Sequence, residues 1–130
     1  MNAPITKEEQ SAIIAQAHEL ARPFVSSEDC CAASVGSVIK SATGKTHTGV
    51  CVEFECGIGF CAEHSAVAEM LKARESRIAV VVAVNDQGQV LPPCGRCREM
   101  MWQLDPANVD ALVVLGSDSV VPLGELLPHR

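Results

Sequence analysis

Ile78-Ala79-Val80-Val81-Val82-Ala83-Val84 is the stretch that decides the fold. Its apolar residues run without a polar break, which suits a strand covered on both faces rather than one with a wet side. Asn85-Asp86-Gln87-Gly88 closes it as a turn. On its N-terminal side Ala62, Ala66, Val67, Met70 and Leu71 recur at helical spacing, which predicts a helix over 61–74. On its C-terminal side a helix is predicted from Gly95 or Arg96 to Leu104, stopped by Asp105-Pro106. A buried strand between two helices is a piece of a layered α/β domain.

The neighbouring segments extend that layering. Upstream, Val35 to Ile39 and Thr46 to Glu53 are β-rich runs around Thr43-Gly44, a hairpin pattern. Before them, Thr6-Lys7-Glu8-Glu9 has the Thr-x-x-Glu spacing of a capping box. Ile13, Ala17, Leu20 and Ala21 come next at helical spacing until Pro23, which predicts a first helix over about 7–21. Downstream, Ala111 to Leu115 reads as a strand, Val120 to Leu123 as a short further strand and Gly124 to Leu127 as a last helical turn. The order α-β-β-α-β-α-β-β implies a mixed sheet with helices on both faces.

The 130 residues fit one domain, spanning 1–130, large enough to fold without staples. A net charge of −6 and an aromatic content of 3% leave little with which to follow a phosphate backbone or stack on bases, so polymeric nucleic acid is not expected as a partner. Met1 to Gln10 is polar and the longest apolar run is far too short for a bilayer, so neither a signal peptide nor a membrane span is expected. That points to the cytoplasm, where thiols stay reduced and cysteines do chemistry, bind metal or fill a core. The chain has seven cysteines, an odd number that cannot all pair within it.

Two local patterns use three of them. Cys61-Ala62-Glu63 and Pro93-Cys94-Gly95-Arg96-Cys97 both stand where a loop enters a predicted helix. A helix N-terminus favours thiolate over thiol, and cysteines at i and i+3 of its first turn face one point. With Cys61 added, three sulfurs around a zinc ion leave one tetrahedral position open, the layout of a catalytic site. A water in that position becomes acidic enough to supply hydroxide near neutral pH. Glu63 is then placed to move a proton between water and substrate. Other readings of the Cys-x-x-Cys are a redox pair, buried small cysteines, or a structural four-ligand zinc completed by Cys51, Cys56 or His64. Three thiolates exceed the charge of one zinc ion, so Arg96 and Arg98 are candidate donors to the sulfurs. His64 reads as a ligand, a donor to the ligands or a surface residue, with the last two favoured. Cys30, Cys31, Cys51 and Cys56 read chiefly as buried small residues.

Together these residues resemble the cytidine deaminase family, most of all its small homotetrameric branch and the related blasticidin-S deaminases. Val35 to Ile39 is similar to the family's first strand and Gly44 to Val50 to its first turn and second strand. Cys61-Ala62-Glu63 and Pro93 to Glu99 resemble its two zinc motifs, and Leu126-Leu127-Pro128 its closing Leu-Leu-Pro. The resemblance implies a three-layer α/β/α sandwich with a mixed five-stranded sheet. It also implies one Zn2+ per chain on Cys61, Cys94 and Cys97, Glu63 as proton shuttle, and a homotetramer with active sites near subunit interfaces. The implied reaction is hydrolytic deamination of a free cytosine nucleoside, cytidine or deoxycytidine, or of a modified one such as blasticidin S. A binding module stabilised by zinc but without catalysis is the rival from another class.

Substrate contacts are implied for Glu53, Cys51 and Ala62. Here the chain departs from the family's pattern. Where nucleoside deaminases carry Asn-x-Glu to hold a ribose hydroxyl, this chain reads Cys51-Val52-Glu53, and a thiol cannot present the donor and acceptor of an amide. The aromatic residue that lies by the base is replaced near Ala33, and His64 stands where an arginine often follows the glutamate.

Overall fold

The computed structural model describes residues 5–129; Met1 to Pro4, the start of the polar N-terminal stretch, and Arg130 lie outside them. The first helix, α1, spans Lys7–Leu20. Its N-cap is Thr6, whose hydroxyl accepts the Glu9 N–H at 3.1 Å, so the capping box does what its spacing predicts. After it come β1 (Phe24–Ser27), β2 (Cys30–Ser41), β3 (Thr46–Phe54), α2 (Ala62–Lys72), β4 (Ile78–Asn85) and α3 (Gly95–Leu104). A 3-10 turn (Pro106–Asp110), β5 (Leu112–Gly116), β6 (Ser119–Pro122) and a closing 3-10 turn (Leu123–Leu126) complete the order.

The sheet runs β3-β2-β4-β5-β6, which accounts for the five strands expected, and β1 adds a short sixth. β1 pairs with the first residues of β2, on the edge that β4 takes up further along, with Phe24 opposite Ala32 and Val35 opposite Asn85. Its four residues are all exposed, so it has no buried face to leave a period-2 pattern in the sequence. β4 and β5 are parallel, and the other described pairs are antiparallel, so the sheet is mixed.

β4 lies in the middle and explains its unbroken apolar run. Val80, Val82 and Val84 pack with Ile13 and Ala17 of α1 on one face. Val81 and Ile78 face the other way, onto Ala66, Val67 and Met70 of α2 and Met101 of α3. Side chains alternate along a strand, and both faces here are covered. Close approach fixes α2 on the sheet: a Cβ at Gly49 of β3 would lie 2.3 Å from the Ala66 backbone nitrogen. Only a residue without a side chain allows that spacing. The N-termini of α2 and α3 thereby come together at one end of the sheet. Among the described residues no helix is long and apolar enough to cross a membrane.

Candidate active site

Cys61 is the N-cap residue of α2 and Cys94 that of α3, both in extended backbone. Cys97 sits one turn into α3 and is fully buried. Cys94 Sγ lies 3.5 Å from Cys61 Sγ and 3.5 Å from Cys97 Sγ. The ligand atoms of Cys61, His64 and Cys97 all lie within 4.8 Å of one another. Zinc–sulfur bonds of about 2.3 Å in a tetrahedron separate the sulfurs by about 3.8 Å, so the three thiols fit one zinc ion. His64 Nδ1 is 3.5 Å from Cys97 Sγ. Of the three roles open to His64, the surface one is thus set aside by position.

The environment of each thiol differs. Burial raises the Cys61 thiol above its ordinary range, helped by the neighbouring Cys94. Burial also raises Cys97, with the Glu63 carboxylate adding to the effect. Burial would raise Cys94 too, but the backbone N–H of Cys97, the two other thiols and the Arg96 N–H outweigh it and hold Cys94 low. These are the free N–H groups of a helix first turn. The His64 ring is held low by burial and then by the charge of Arg96.

Glu63 is in the first turn of α2 and only 5% exposed. Burial raises its carboxyl, opposed in part by its own backbone N–H and by Cys97. A carboxyl raised above the usual range is a better proton acceptor than an exposed one, which suits a proton shuttle. It lines a cavity of about 540 Å3 together with Cys61 and Cys94, a size suited to a small organic molecule. Ala62, Cys51, Glu53 and Arg96 line the same cavity, so residues from β3, α2 and α3 converge there.

Arg98 is elsewhere. Its Nε donates to the Pro93 carbonyl at 2.7 Å and a terminal nitrogen to the Leu126 carbonyl at 3.4 Å. It braces the turn that carries Cys94 against the C-terminal 3-10 segment, and these bonds go to carbonyls and not to sulfur. The four remaining cysteines also divide. Cys51 is buried, Cys30 half-buried, and Cys31 and Cys56 are exposed, which corrects the expectation that all four fill the core. The reason is local: both exposed ones lie by the β1 edge and the 54–60 loop, which no helix covers.

Ser34, Phe54, Phe60 and Leu91 also line the cavity and were not foreseen. Phe60 directly precedes Cys61, and that adjacency was a readable signal. Ser34 stands in a run of small residues and had none. Ala33, near the family's aromatic position, is buried and takes a left-handed backbone, φ 67°.

Residues 7–113 match the family model described as the cytidine and deoxycytidylate deaminase zinc-binding region. The cytidine deaminase of Mycobacterium tuberculosis is 33% identical over 98 residues, covering 73% of this chain and 70% of that protein. The cytidine deaminase of Halalkalibacterium halodurans is 28% identical over 97 residues, 72% of this chain and 74% of that one. The crystal structure of the Mycobacterium tuberculosis enzyme superposes with a TM-score of 0.77 at 26% identity, over 92% of this chain and 94% of that chain. That of the Burkholderia pseudomallei cytidine deaminase gives 0.73 at 26% identity, over 92% and 97%. With the family model spanning most of the chain and the fold shared over 92% of it, the chain belongs to the cytidine and deoxycytidylate deaminase family and is an enzyme of the zinc-dependent aminohydrolase type.

Proposed function

We propose that this chain hydrolytically deaminates a free cytosine nucleoside, converting cytidine or deoxycytidine to the uracil nucleoside and ammonia. The observation that carries the reading is the buried Glu63 beside three converging thiols, with Glu63, Cys61 and Cys94 lining one cavity. Cys61, Cys94 and Cys97 would hold one Zn2+ per chain. Bound there, zinc supplies a Lewis acid that makes water a nucleophile near neutral pH. Glu63 takes the proton of the attacking water and gives it to the ring nitrogen; it then takes the remaining proton from the newly added hydroxyl and delivers it to the departing amino group, which leaves as ammonia while the carbonyl forms. Ala62 forms the buried floor under the base, and Cys51 and Glu53 meet the sugar side. Arg96 offsets the negative charge of the thiolates, His64 serves as a neutral hydrogen-bond partner of Cys97 Sγ, and Arg98 holds the Cys94 turn.

The single domain, residues 1–130, works as a homotetramer in the cytoplasm. Phe24, Val25 and Ile58 are 57%, 70% and 72% exposed, and apolar side chains so exposed suit burial against other copies. Light scattering on the purified protein gives the copy number, and a monomer would remove that part of the proposal.

Ammonia release from cytidine, deoxycytidine, cytosine, cytidine monophosphate and blasticidin S tests the activity. Release from cytidine or deoxycytidine is the expected result. Release from blasticidin S alone moves the assignment to the modified nucleoside, and release from none by zinc-loaded protein leaves the binding module.

A further inference from the structure

The wall of the cavity opposite the thiols has an irregularity that the catalytic reading does not use. On β2, Ala32 pairs with Val52 and Gly36 with Val50, so residues 33 to 35 stand opposite Cys51 alone. Ala33 adopts a left-handed backbone within this bulge, which re-aims the next two side chains. As a result Ser34 and Val35, adjacent in sequence, both line the cavity. A regular strand would send one of them to the opposite face. The Ser34 backbone is pinned by the Asp86 N–H, which donates to its carbonyl at 3.0 Å. Its hydroxyl lies 3.2 Å from Cys51 Sγ.

We propose that Ser34 is a specificity-determining residue whose hydroxyl, held against Cys51, joins Glu53 in reading a sugar hydroxyl of the substrate. Cys51 and Glu53 are two residues apart on β3, so both leave the strand on one face, and all three residues line the cavity. A carboxylate such as that of Glu53 offers acceptors, so a substrate hydroxyl can donate to it but needs a donor for its own lone pair. The Cys51 thiol is a weak donor, whereas the Ser34 hydroxyl donates and accepts with normal strength. The proposal rests on the nucleoside reading above, and its test does not require turnover.

The test is equilibrium binding of two products, uridine and 2′,3′-dideoxyuridine, to wild type, Ser34→Ala, Ser34→Cys and Cys51→Ala, with kcat and KM on cytidine alongside. Wild type binds uridine the tighter. Ser34→Ala reduces that preference about 3- to 10-fold, the weight of one neutral hydrogen bond, and its effect on cytidine falls on KM more than on kcat. Ser34→Cys, which keeps the volume and weakens the donor, shifts the preference the same way by less. Cys51→Ala lowers it by less than Ser34→Ala does. An undiminished preference in Ser34→Ala, or its loss only in Cys51→Ala, overturns the proposal, as does a wild type without any preference. If wild type binds uridine but deaminates no cytosine nucleoside, the deaminase reading fails while the binding comparison still decides the role of Ser34.

Discussion

Glu63 carries the sharpest prediction at the scale of the residue. A structural zinc site has no use for a carboxyl that is buried beside it and raised by that burial. Glu63→Gln keeps the side chain's shape and removes the exchangeable charge. Turnover should fall by about 100- to 10,000-fold, the range of a positioned acid–base group, while metal analysis still finds about one zinc per chain. Loss of the metal together with activity would make Glu63 a ligand and overturn its assigned role. The meeting of Cys94 and Cys97 was readable from spacing, because a helix first turn brings i and i+3 onto one side, whereas Cys61 and Glu63 were read from their likeness to a zinc motif. Ser34 was not readable, nor which of the roles open to His64 its position favours. The first depends on a bulge whose cause is the pairing of two strands, the second on how α2 and α3 meet across 33 positions of chain.

At the scale of the element, the site depends on how α2 sits on the sheet. Its N-terminal half is held at Gly49, where any side chain meets the Ala66 backbone. Gly49→Ala should destabilise the fold by about 1–3 kcal/mol, as overpacking does, and also lower kcat at temperatures well below unfolding, since α2 carries Cys61 and Glu63. A stability loss with unchanged kcat would mean that the helix settles without moving its first turn. Just beyond the other end of α2, Glu75 is tied to the β2–β3 hairpin. Thr43, then Ser41 at 2.7 Å and His47 at 3.1 Å, hold its carboxyl down at about 2 against an ordinary 4.5. A depressed carboxyl adds stability that is present above about 4.5 and is lost as pH falls towards 2. The Tm gap between wild type and Glu75→Gln should therefore be open at neutral pH and close across that window. A gap independent of pH would show that the lost packing matters and the charge does not. The helices and β4 were legible in the sequence because each has a buried stripe or two buried faces. β1 was not, having neither, and its place is set only by its partner β2.

For the molecule as a whole, a metal ion on the three thiols would link what the chain keeps apart. Cys61 heads α2, Cys94 and Cys97 head α3, and β4 with its turn lies between them in sequence. An ion bound to all three joins the two helix starts on one face of the sheet, and it binds only when the fold has brought them together. Ligand that binds the native state alone stabilises by about 2.7 kcal/mol at 100 times its dissociation constant. For a chain of this length that is a Tm shift of roughly 10 °C. Chelation should lower the Tm by that order, and added zinc should restore it. Cys94→Ala should show the lowered Tm from the start and respond to neither chelator nor zinc, because one of three sulfurs is missing. The same variant should keep far-ultraviolet circular dichroism typical of a mixed α/β fold at low temperature, since the cores on the two faces of β4 contain no residue from position 94. A wild-type Tm indifferent to chelator would mean that folding is carried by those two cores alone. The metal on the three thiols would then contribute to chemistry without contributing to the stability of the sheet.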